Sequence, residues 1–265
     1  MMRPVDTTGI ALVRRPSPRL ADGIVTHIER TVVDVALAGD QHAAYVAALR
    51  NAGYAIHEVE PADDCPDSVF IEDAVVVVDD LAVLTRPGAL QRRPEVAGAD
   101  AAVTALGLNT VRIEEPGTLD GGDVLQIGTT VYVGLGGRTN ESGIAQLANH
   151  LAPLGRTVVA VPLGEVLHLK SAVTALPDGT VLAWPGLVDT SIFTKVIEVD
   201  EEPGAHVVPI GGDRVLLSAD APLTATRLID LGFSPVLVDI SEFEKLEGCV
   251  TCLSVLVHPV RQSSR

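Results

Sequence analysis

Aromatic side chains are almost absent: one Trp, three Tyr and four Phe make up 3% of the 265 residues. The core must be filled by Val, Leu, Ile and Ala, and apolar residues at 47% supply enough of them. Cysteine is scarcer still. Cys65, Cys249 and Cys252 are too few for a disulfide framework, and their sparseness fits a reducing cytoplasm, the expected location. Cations are in deficit, with 19 Lys and Arg against 35 Asp and Glu and a formal net charge of −16. That balance argues against nucleic acid, whose phosphates would be repelled, and against anionic membrane surfaces. It suits a small cationic substrate drawn in by long-range attraction. No run of about 18 apolar residues is present to form a membrane span. The N-terminal stretch MMRPVDTTGIALVRRP lacks the apolar segment of a signal peptide.

What is present is a series of short Val-rich runs punctuated by Gly, Pro and Asp, the pattern of many short strands. Hairpins or strands open near Ala74, Val124, Ser171, His206 and Leu253, a spacing of about 35 to 50 residues that suggests a radial repeat. Helices are expected over Asp40 to Ala52, Ala97 to Leu106, Glu141 to Leu151 and Pro222 to Leu231. The repeating unit is hairpin, loop, helix, strand, which predicts an α/β propeller of about five blades. A doubly wound α/β sheet is the runner-up, disfavoured because the strands come as antiparallel hairpins. No linker divides the chain, so one domain is expected over residues 1–265. The loop from Arg14 to Val25, with two prolines and a glycine, is expected to form a lid.

In a radial array the loops at equivalent ends of the blades converge. Asp67 to Asp73, Asp120 to Asp123, His168 to Ser171 and Cys249 to Cys252 hold corresponding places in their repeats. They are predicted to meet, bringing a thiol, an imidazole and several carboxylates together. A buried cysteine is usually a small inert hydrophobe, but a thiolate beside a histidine and a carboxylate performs covalent addition to an electrophilic carbon. Cys249-x-x-Cys252 also fits a redox or metal pair. The residues after it are strand-like rather than helical, and no second Cys or His pair stands at zinc-ligand spacing.

The adjacent carboxylates Glu72 and Asp73 would repel an oxyanion, whereas a guanidinium offers planar N–H pairs that a carboxylate accepts. A bound cation would also favour the thiolate of Cys252. Arg92-Arg93 and Arg138 are suited to an α-carboxylate. The expected ligand is an amino acid with a guanidinium at its far end.

At these residues the sequence resembles the dimethylarginine dimethylaminohydrolase family. The resemblance rests on PDSVFIED (Pro66 to Asp73), TRPGA with Arg92-Arg93 (from Thr85), GTLDGGD (Gly117 to Asp123), Arg138-Thr139-Asn140, Leu167 to Lys170, and Thr251 to Ser254. These motifs stand in order across nearly the whole chain. The resemblance implies a five-bladed pseudo-fivefold α/β propeller of the guanidino-group-modifying superfamily, with hydrolysis of asymmetric dimethylarginine or monomethylarginine to citrulline and the methylamine. It implies that Cys252 attacks the guanidinium carbon, that His168 protonates the leaving amine and later activates water, and that Asp120 orients His168. Glu72 and Asp73 would hold the guanidinium end, Arg92 and Arg138 the α-carboxylate, and Asp67 the amino-acid end, with Ile24 and Leu246 as main-chain contacts. The family needs no cofactor, and zinc occupies such a Cys–His site only as an inhibitor.

The lid segment RRPSPRLADGI departs most from the family, and lids set substrate range. Three other readings make different predictions. A sister enzyme such as arginine deiminase would carry an inserted helical domain that is not evident in this sequence. A non-catalytic propeller that binds a macromolecule would have no use for Cys252, His168 and Asp120. A CxxC redox protein would need Cys249 and Cys252 equally. Blades with exposed edges make a homodimer the expected assembly if the chain associates.

Overall fold

The computed structural model describes residues 8–258, so the first seven residues of the N-terminal stretch and the last seven of the chain lie outside it. Strand β1 (Gly9–Val13) leads through the loop at Arg14 into helix α1 (Val35–Asn51), and strand β2 (Tyr54–Glu58) returns parallel to β1. The helix starts where it does because the Asp34 side chain accepts hydrogen bonds from the Ala36 and Leu37 amides, satisfying donors that a first turn leaves open.

Four further units follow the same plan with an internal hairpin. Strands β3 (Val75–Val78) and β4 (Leu81–Leu84) pair antiparallel, helix α2 (Val96–Ala105) crosses over, and β5 (Asn109–Arg112) lies parallel to β4. Strands β6 (Val124–Ile127) and β7 (Thr130–Leu135), helix α3 (Glu141–Leu151) and β8 (Thr157–Pro162) repeat it. The next unit has β9 (Val173–Ala175), β10 (Val181–Ala183) and β11 (Val196–Glu198), with a short 3-10 turn at Thr190–Ile192 in place of the helix.

The following unit has β12 (Val207–Pro209), β13 (Arg214–Ser218), helix α4 (Pro222–Asp230) and β14 (Ser234–Val238). A short helix α5 (Ser241–Glu244) then leads to β15 (Val255–Val257), which pairs antiparallel with β1. The first sheet is therefore closed by the two ends of the described chain. Among the described residues the result is five three-stranded sheets, each an antiparallel pair plus a parallel third strand. The α/β propeller of five blades expected from the repeat is the observed fold.

One strand of each antiparallel pair faces the centre: the earlier one in four sheets, and β15 in the first. Val75 to Val77, Val124 to Gln126, Thr174 and Ala175, Val207 to Pro209, and Val255 and Leu256 together line an axial cavity of about 690 Å³. The outer faces of the sheets pack against the helices. In one such cluster Leu84 and Ala82 meet Ala99, Ala102 and Val103 of α2; in another Val131 and Val133 meet Ile144, Leu147 and Leu151 of α3. Alternating small and branched side chains fill these layers without aromatic rings, and the apolar area they remove from water is the main source of stability.

Three details differ from the expectations. Helix α1 begins at Val35 rather than at Asp40, because the Asp34 cap lies upstream of the alanine-rich stretch. Strand β11 and helix α5 were not anticipated; both are too short for periodicity to register. The last strand begins at Val255 rather than Leu253, since residues 250–253 form a turn.

Candidate active site

Before the first strand of most blades the chain makes a single 3-10 turn: Ile71–Ala74, Gly121–Asp123, Leu169–Ser171 and Glu202–Ala205. The turn over residues 250–253 takes the same place before β15. These turns gather at one end of the propeller, the first three in contact in series. Asp73 sits within its turn, Asp120 and His168 immediately before theirs, and Cys252 within the last.

Cys252 is fixed from several sides. Its amide donates to Cys249 O at 3.1 Å, and its carbonyl accepts from the Glu72 amide at 3.3 Å. The buried Tyr45 hydroxyl of α1 donates to Val250 O at 2.8 Å and pairs with Ser254 Oγ at 2.8 Å. Upstream, Glu247 takes a left-handed conformation at φ 61°. Gly248 follows it under the rings of Phe70 and the carbonyl of Phe243, where a Cβ would have no room.

A small cavity is lined by Cys252, His168, Asp73, Arg138, Ile24 and Asp67, together with Arg92, Leu246, Phe70, Leu167, Glu247 and Gly248. His168 Nε2 lies 3.1 Å from Asp120 Oδ2 and 4.0 Å from Asp73 Oδ1. Asp120 is fully buried, and its other oxygen accepts from the Gly88 amide at 2.9 Å. Burial alone would lower the imidazole pKa, but Asp73, Asp123 and Asp120 outweigh it and raise it to about 9. His168 is therefore an imidazolium at neutral pH, a proton donor already loaded. Gly122 makes this possible: its amide donates to Asp73 Oδ1 at 2.8 Å, and a Cβ there would stand 2.7 Å from His168 Nδ1.

Burial opposes ionisation of Asp73, but His168 and Arg92 hold its carboxyl well below the usual range. The Cys252 thiol goes the other way. Its hydrogen bond with Cys249, its burial, and the charges of Glu72 and Asp73 push it well above the ordinary thiol value. A thiol kept protonated by anions will ionise when a cation arrives beside it.

The arginines differ. Arg138 has a half-engaged guanidinium, 3.7 Å from Asp120 Oδ2 and only 12% exposed. Arg92 is deeply committed: Nε and Nη2 bond Glu95, Nη1 bonds Asp73 at 2.5 Å, and Nη2 also reaches the carbonyls of Asp67 and Phe70. One Nη1 hydrogen remains for a ligand among the described residues. Asp67, buried and shifted upward by that burial, accepts from the Ile24 amide with both oxygens, at 3.0 and 3.2 Å.

Glu72 is not in this cavity. It lines the axial cavity instead, where Oε1 accepts from Lys170 Nζ and Oε2 from Thr251 Oγ1 at 2.8 Å. The turn explains the separation: successive side chains of a 3-10 turn are rotated by about 120°, so the neighbours Glu72 and Asp73 border different cavities.

The sequence reading assigns no role to Asp123, Lys170 or Glu247. Asp123 accepts from the Leu169 amide at 2.9 Å and from Thr139 Oγ1 at 2.5 Å, tying the Asp120 turn to the His168 turn. Its position at the end of Gly-Gly-Asp was the available signal. Glu247 accepts from the Thr26 and His27 amides and clasps the loop that follows Ile24. Asp73, Asp120 and His168 offer three metal-ligand atoms within 4.8 Å of one another. Arg92 and Arg138 already neutralise those carboxylates, so the set is poorly matched to a divalent ion.

The arginine deiminase family model matches residues 28–211. A dimethylarginine dimethylaminohydrolase of Streptomyces coelicolor is 63% identical over 92% of this chain and 95% of its own length. The Pseudomonas aeruginosa dimethylarginine dimethylaminohydrolase, solved as a cysteine-to-serine mutant with citrulline, superposes with a TM-score of 0.89 at 34% identity, covering 94% of this chain and 99% of that one. A further dimethylarginine dimethylaminohydrolase structure, an adduct with S-methyl-L-thiocitrulline, gives 0.89 at 33% identity over 94% of this chain and 100% of that one. With these matches across its length, the chain belongs to the dimethylarginine dimethylaminohydrolase family, within the wider group that the arginine deiminase model describes.

Proposed function

We propose that this protein hydrolyses N-methylated arginine to citrulline and the corresponding methylamine, with Cys252 as nucleophile. The observation that carries the reading is the placement of Cys252, imidazolium His168 and Asp73 on one small cavity that Arg138 also lines. It is supported by the similarity to relatives that carry the name of this activity and were solved with citrulline and a thiocitrulline adduct.

The substrate's guanidinium lies against Asp73, and its α-carboxylate against Arg138 and the remaining N–H of Arg92. Asp67 and the main chain at Ile24 and Leu246 hold the amino-acid end. Glu72 acts from behind the wall, buttressing the Cys252 turn through Thr251, rather than by touching the guanidinium. The arriving cation offsets the carboxylates that suppress ionisation of Cys252, so the thiolate forms when substrate is present.

The thiolate attacks the guanidinium carbon, and a C–S bond forms. His168 donates its proton to the methylated nitrogen, the C–N bond breaks, and the amine leaves. Water then adds to the thiouronium carbon as neutral His168 takes its proton. Cleavage of the C–S bond returns the thiol and releases citrulline. Asp120 and Asp123 hold the imidazole in place and stabilise its charged form through both steps.

The cavity, about 20 Å³, has room for roughly one water molecule. Entry of an amino acid therefore requires a wall to move, and the stretch around Ile24, tied across the cavity by Asp67 and Glu247, is the wall assigned to that movement. Citrulline formation from asymmetric dimethylarginine, monomethylarginine and arginine, supplied separately, tests the assignment. Turnover of the methylated substrates, abolished in Cys252→Ser and retained in Cys249→Ser, is expected. Turnover of arginine alone would move the protein to deiminase chemistry, and a folded protein inert toward all three would overturn the proposal.

A further inference from the structure

The hydrolytic reading uses one thiol of the C-terminal turn and leaves the other without a task. Cys249 is buried, and its Sγ lies 3.4 Å from Cys252 Sγ. The Cys249 amide also points at Cys252 Sγ, 3.4 Å away, and the Cys249 thiol meets Thr251 Oγ1 at 3.2 Å. The third cysteine, Cys65, belongs to a different surrounding, beside Arg14 and Glu95.

The backbone already brings the pair into range. Cys252 N donates to Cys249 O at 3.1 Å, the i to i+3 bond of a tight turn. Such turns keep the terminal Cα atoms within about 7 Å, and disulfides span Cα separations of about 4.4 to 6.8 Å. Bond formation needs the sulfurs to close from 3.4 Å to about 2.05 Å, a distance that side-chain rotation can cover. Tyr45 also holds the enclosing turn, through Val250 O and Ser254 Oγ, by contacts that do not involve either sulfur.

We propose that Cys249 and Cys252 form a reversible disulfide, so that a hydroperoxide switches the enzyme off without destroying its nucleophile. This rests on the reading of Cys252 as the nucleophile. Cys252 borders the site cavity and Cys249 does not, so a small oxidant meets Cys252 first. The Cys252 proton passes to the neighbouring Cys249 sulfur, 3.4 Å away, as Cys252 sulfur attacks a peroxide oxygen; the O–O bond breaks, and the alcohol or water leaves with a proton from solvent, giving a sulfenic acid at Cys252 and a thiol at Cys249. Cys249 then attacks the Cys252 sulfur. The S–S bond forms, the S–O bond breaks, and hydroxide leaves with the Cys249 proton as water. Two thiols and one hydroperoxide become one disulfide, one alcohol or water, and one further water.

Cys249 is suited to the second step. The hydrogen bond with Cys252 and the nearby His206, working against burial, hold its thiol well below the ordinary value. Without Cys249, a sulfenic acid at Cys252 has no neighbouring thiol and proceeds to the sulfinic acid, which dithiols do not reduce. A dithiol reductant reopens the disulfide by exchange.

Bound substrate or citrulline covers Cys252 and should slow the reaction.

The test uses the purified, fully reduced chain treated with hydrogen peroxide in stoichiometric and then excess amounts. Free thiols are titrated after denaturation, intact mass is recorded, and citrulline formation from asymmetric dimethylarginine is measured before and after dithiothreitol. Each variant is scored against its own starting rate. In the native chain the titre is expected to fall from three thiols to one, with Cys249 and Cys252 joined in one peptide. Activity should disappear and most of it return with dithiothreitol. Cys249→Ser should lose activity and recover less than about a tenth of it, its mass increased by added oxygen. Cys65→Ser should behave as the native chain does. Three free thiols after full inactivation, or equal recovery in Cys249→Ser, would overturn the proposal. Thiol titre and mass are read whether or not a guanidine is turned over, so failure of the hydrolase assignment is distinguishable from failure of the disulfide.

Discussion

Lys170 Nζ donates to Glu72 Oε1 at 2.5 Å, and both side chains are about seven-eighths buried at the end of the axial cavity. The pair stands directly behind the turn that holds Cys252, because the second Glu72 oxygen accepts from Thr251. Burial pushes the Glu72 carboxyl up to about 7 even with Lys170 beside it. Removal of one member of a buried pair leaves the other charge unsupported, a loss of about 3 kcal/mol. Lys170→Met should therefore lower the unfolding free energy by about that amount in a denaturant titration at pH 8. Lys170→Met combined with Glu72→Gln should regain much of it. Equal losses in the single and double variants would show that the two groups are not coupled.

This pair also marks where the sequence stopped being informative. The radial repeat was legible because hairpin punctuation is local: Asp79-Asp80 and Gly211-Gly212-Asp213 announce their turns, and antiparallel neighbours follow from short loops. The convergence of Asp73, Asp120, His168 and Cys252 followed from the repeat alone. Which way each side chain points within a turn did not. Glu72 and Asp73 are consecutive acids in the sequence, yet one faces the axis and the other the site. Arg92 and Arg138 likewise looked equivalent, although long-range burial against Glu95 and Asp73 commits the first and leaves the second open. The latch from Glu247 to Thr26 and His27 joins residues 220 or more positions apart, a contact that no local pattern encodes.

Asp120 is the group closest to His168, at 3.1 Å. Asp120→Asn keeps the size and one acceptor but removes the charge. In the proposed mechanism the proton transfers of both steps depend on an oriented imidazole, so kcat should fall roughly 10²- to 10⁴-fold with a smaller change in KM. Asp73 and Asp123 still face His168 and keep part of its upward shift. The alkaline limb of the kcat/KM profile should therefore move toward lower pH without reaching the unperturbed value. An unmoved limb, or an unmoved imidazole titration followed by NMR, would separate Asp120 from His168.

Stability should depend on pH in a direction set by the same groups. His168 has its pKa raised from 6.5 to about 9, so its folded-state advantage is complete below 6.5 and is lost as pH rises through 9. Glu72, raised from 4.5 to about 7, and Asp123, raised from 3.8 to about 6, are carboxylates that the unfolded chain ionises more readily. Each adds a penalty that grows between its two pKa values and is complete above the higher one. Asp73, held low, contributes stability above its unfolded value of 3.8 that is lost in acid. The thermal midpoint should fall as pH is raised from about 6 to 9. His168→Asn should flatten the part of that fall above pH 7, and a native profile rising over the same interval would contradict these assignments.

Glu247 is the residue whose change should separate binding from chemistry. Its carboxylate accepts from the Thr26 and His27 amides, just beyond Ile24 in the cavity wall. It does so from a left-handed backbone conformation at φ 61°, held by the amide bonds of Leu246, Glu247 and Gly248 to the end of α5. The contacts are exposed, so screening by water limits their worth to about 1 kcal/mol. Glu247→Ala should therefore raise KM about fivefold for asymmetric dimethylarginine and leave the Cys252 and His168 chemistry in place. Glu247→Gln retains one carbonyl acceptor for the two amides and should fall between the native chain and Glu247→Ala. Limited proteolysis should cut the loop between Arg15 and Arg30 faster in the alanine variant, and bound citrulline should protect it in the native chain more than in the variant. If Glu247→Ala instead reduced kcat at an unchanged KM and an unchanged cleavage rate, the latch would be holding the Cys252 turn rather than the stretch around Ile24. The Gly248 packing on Phe70 would then be the route by which it did so.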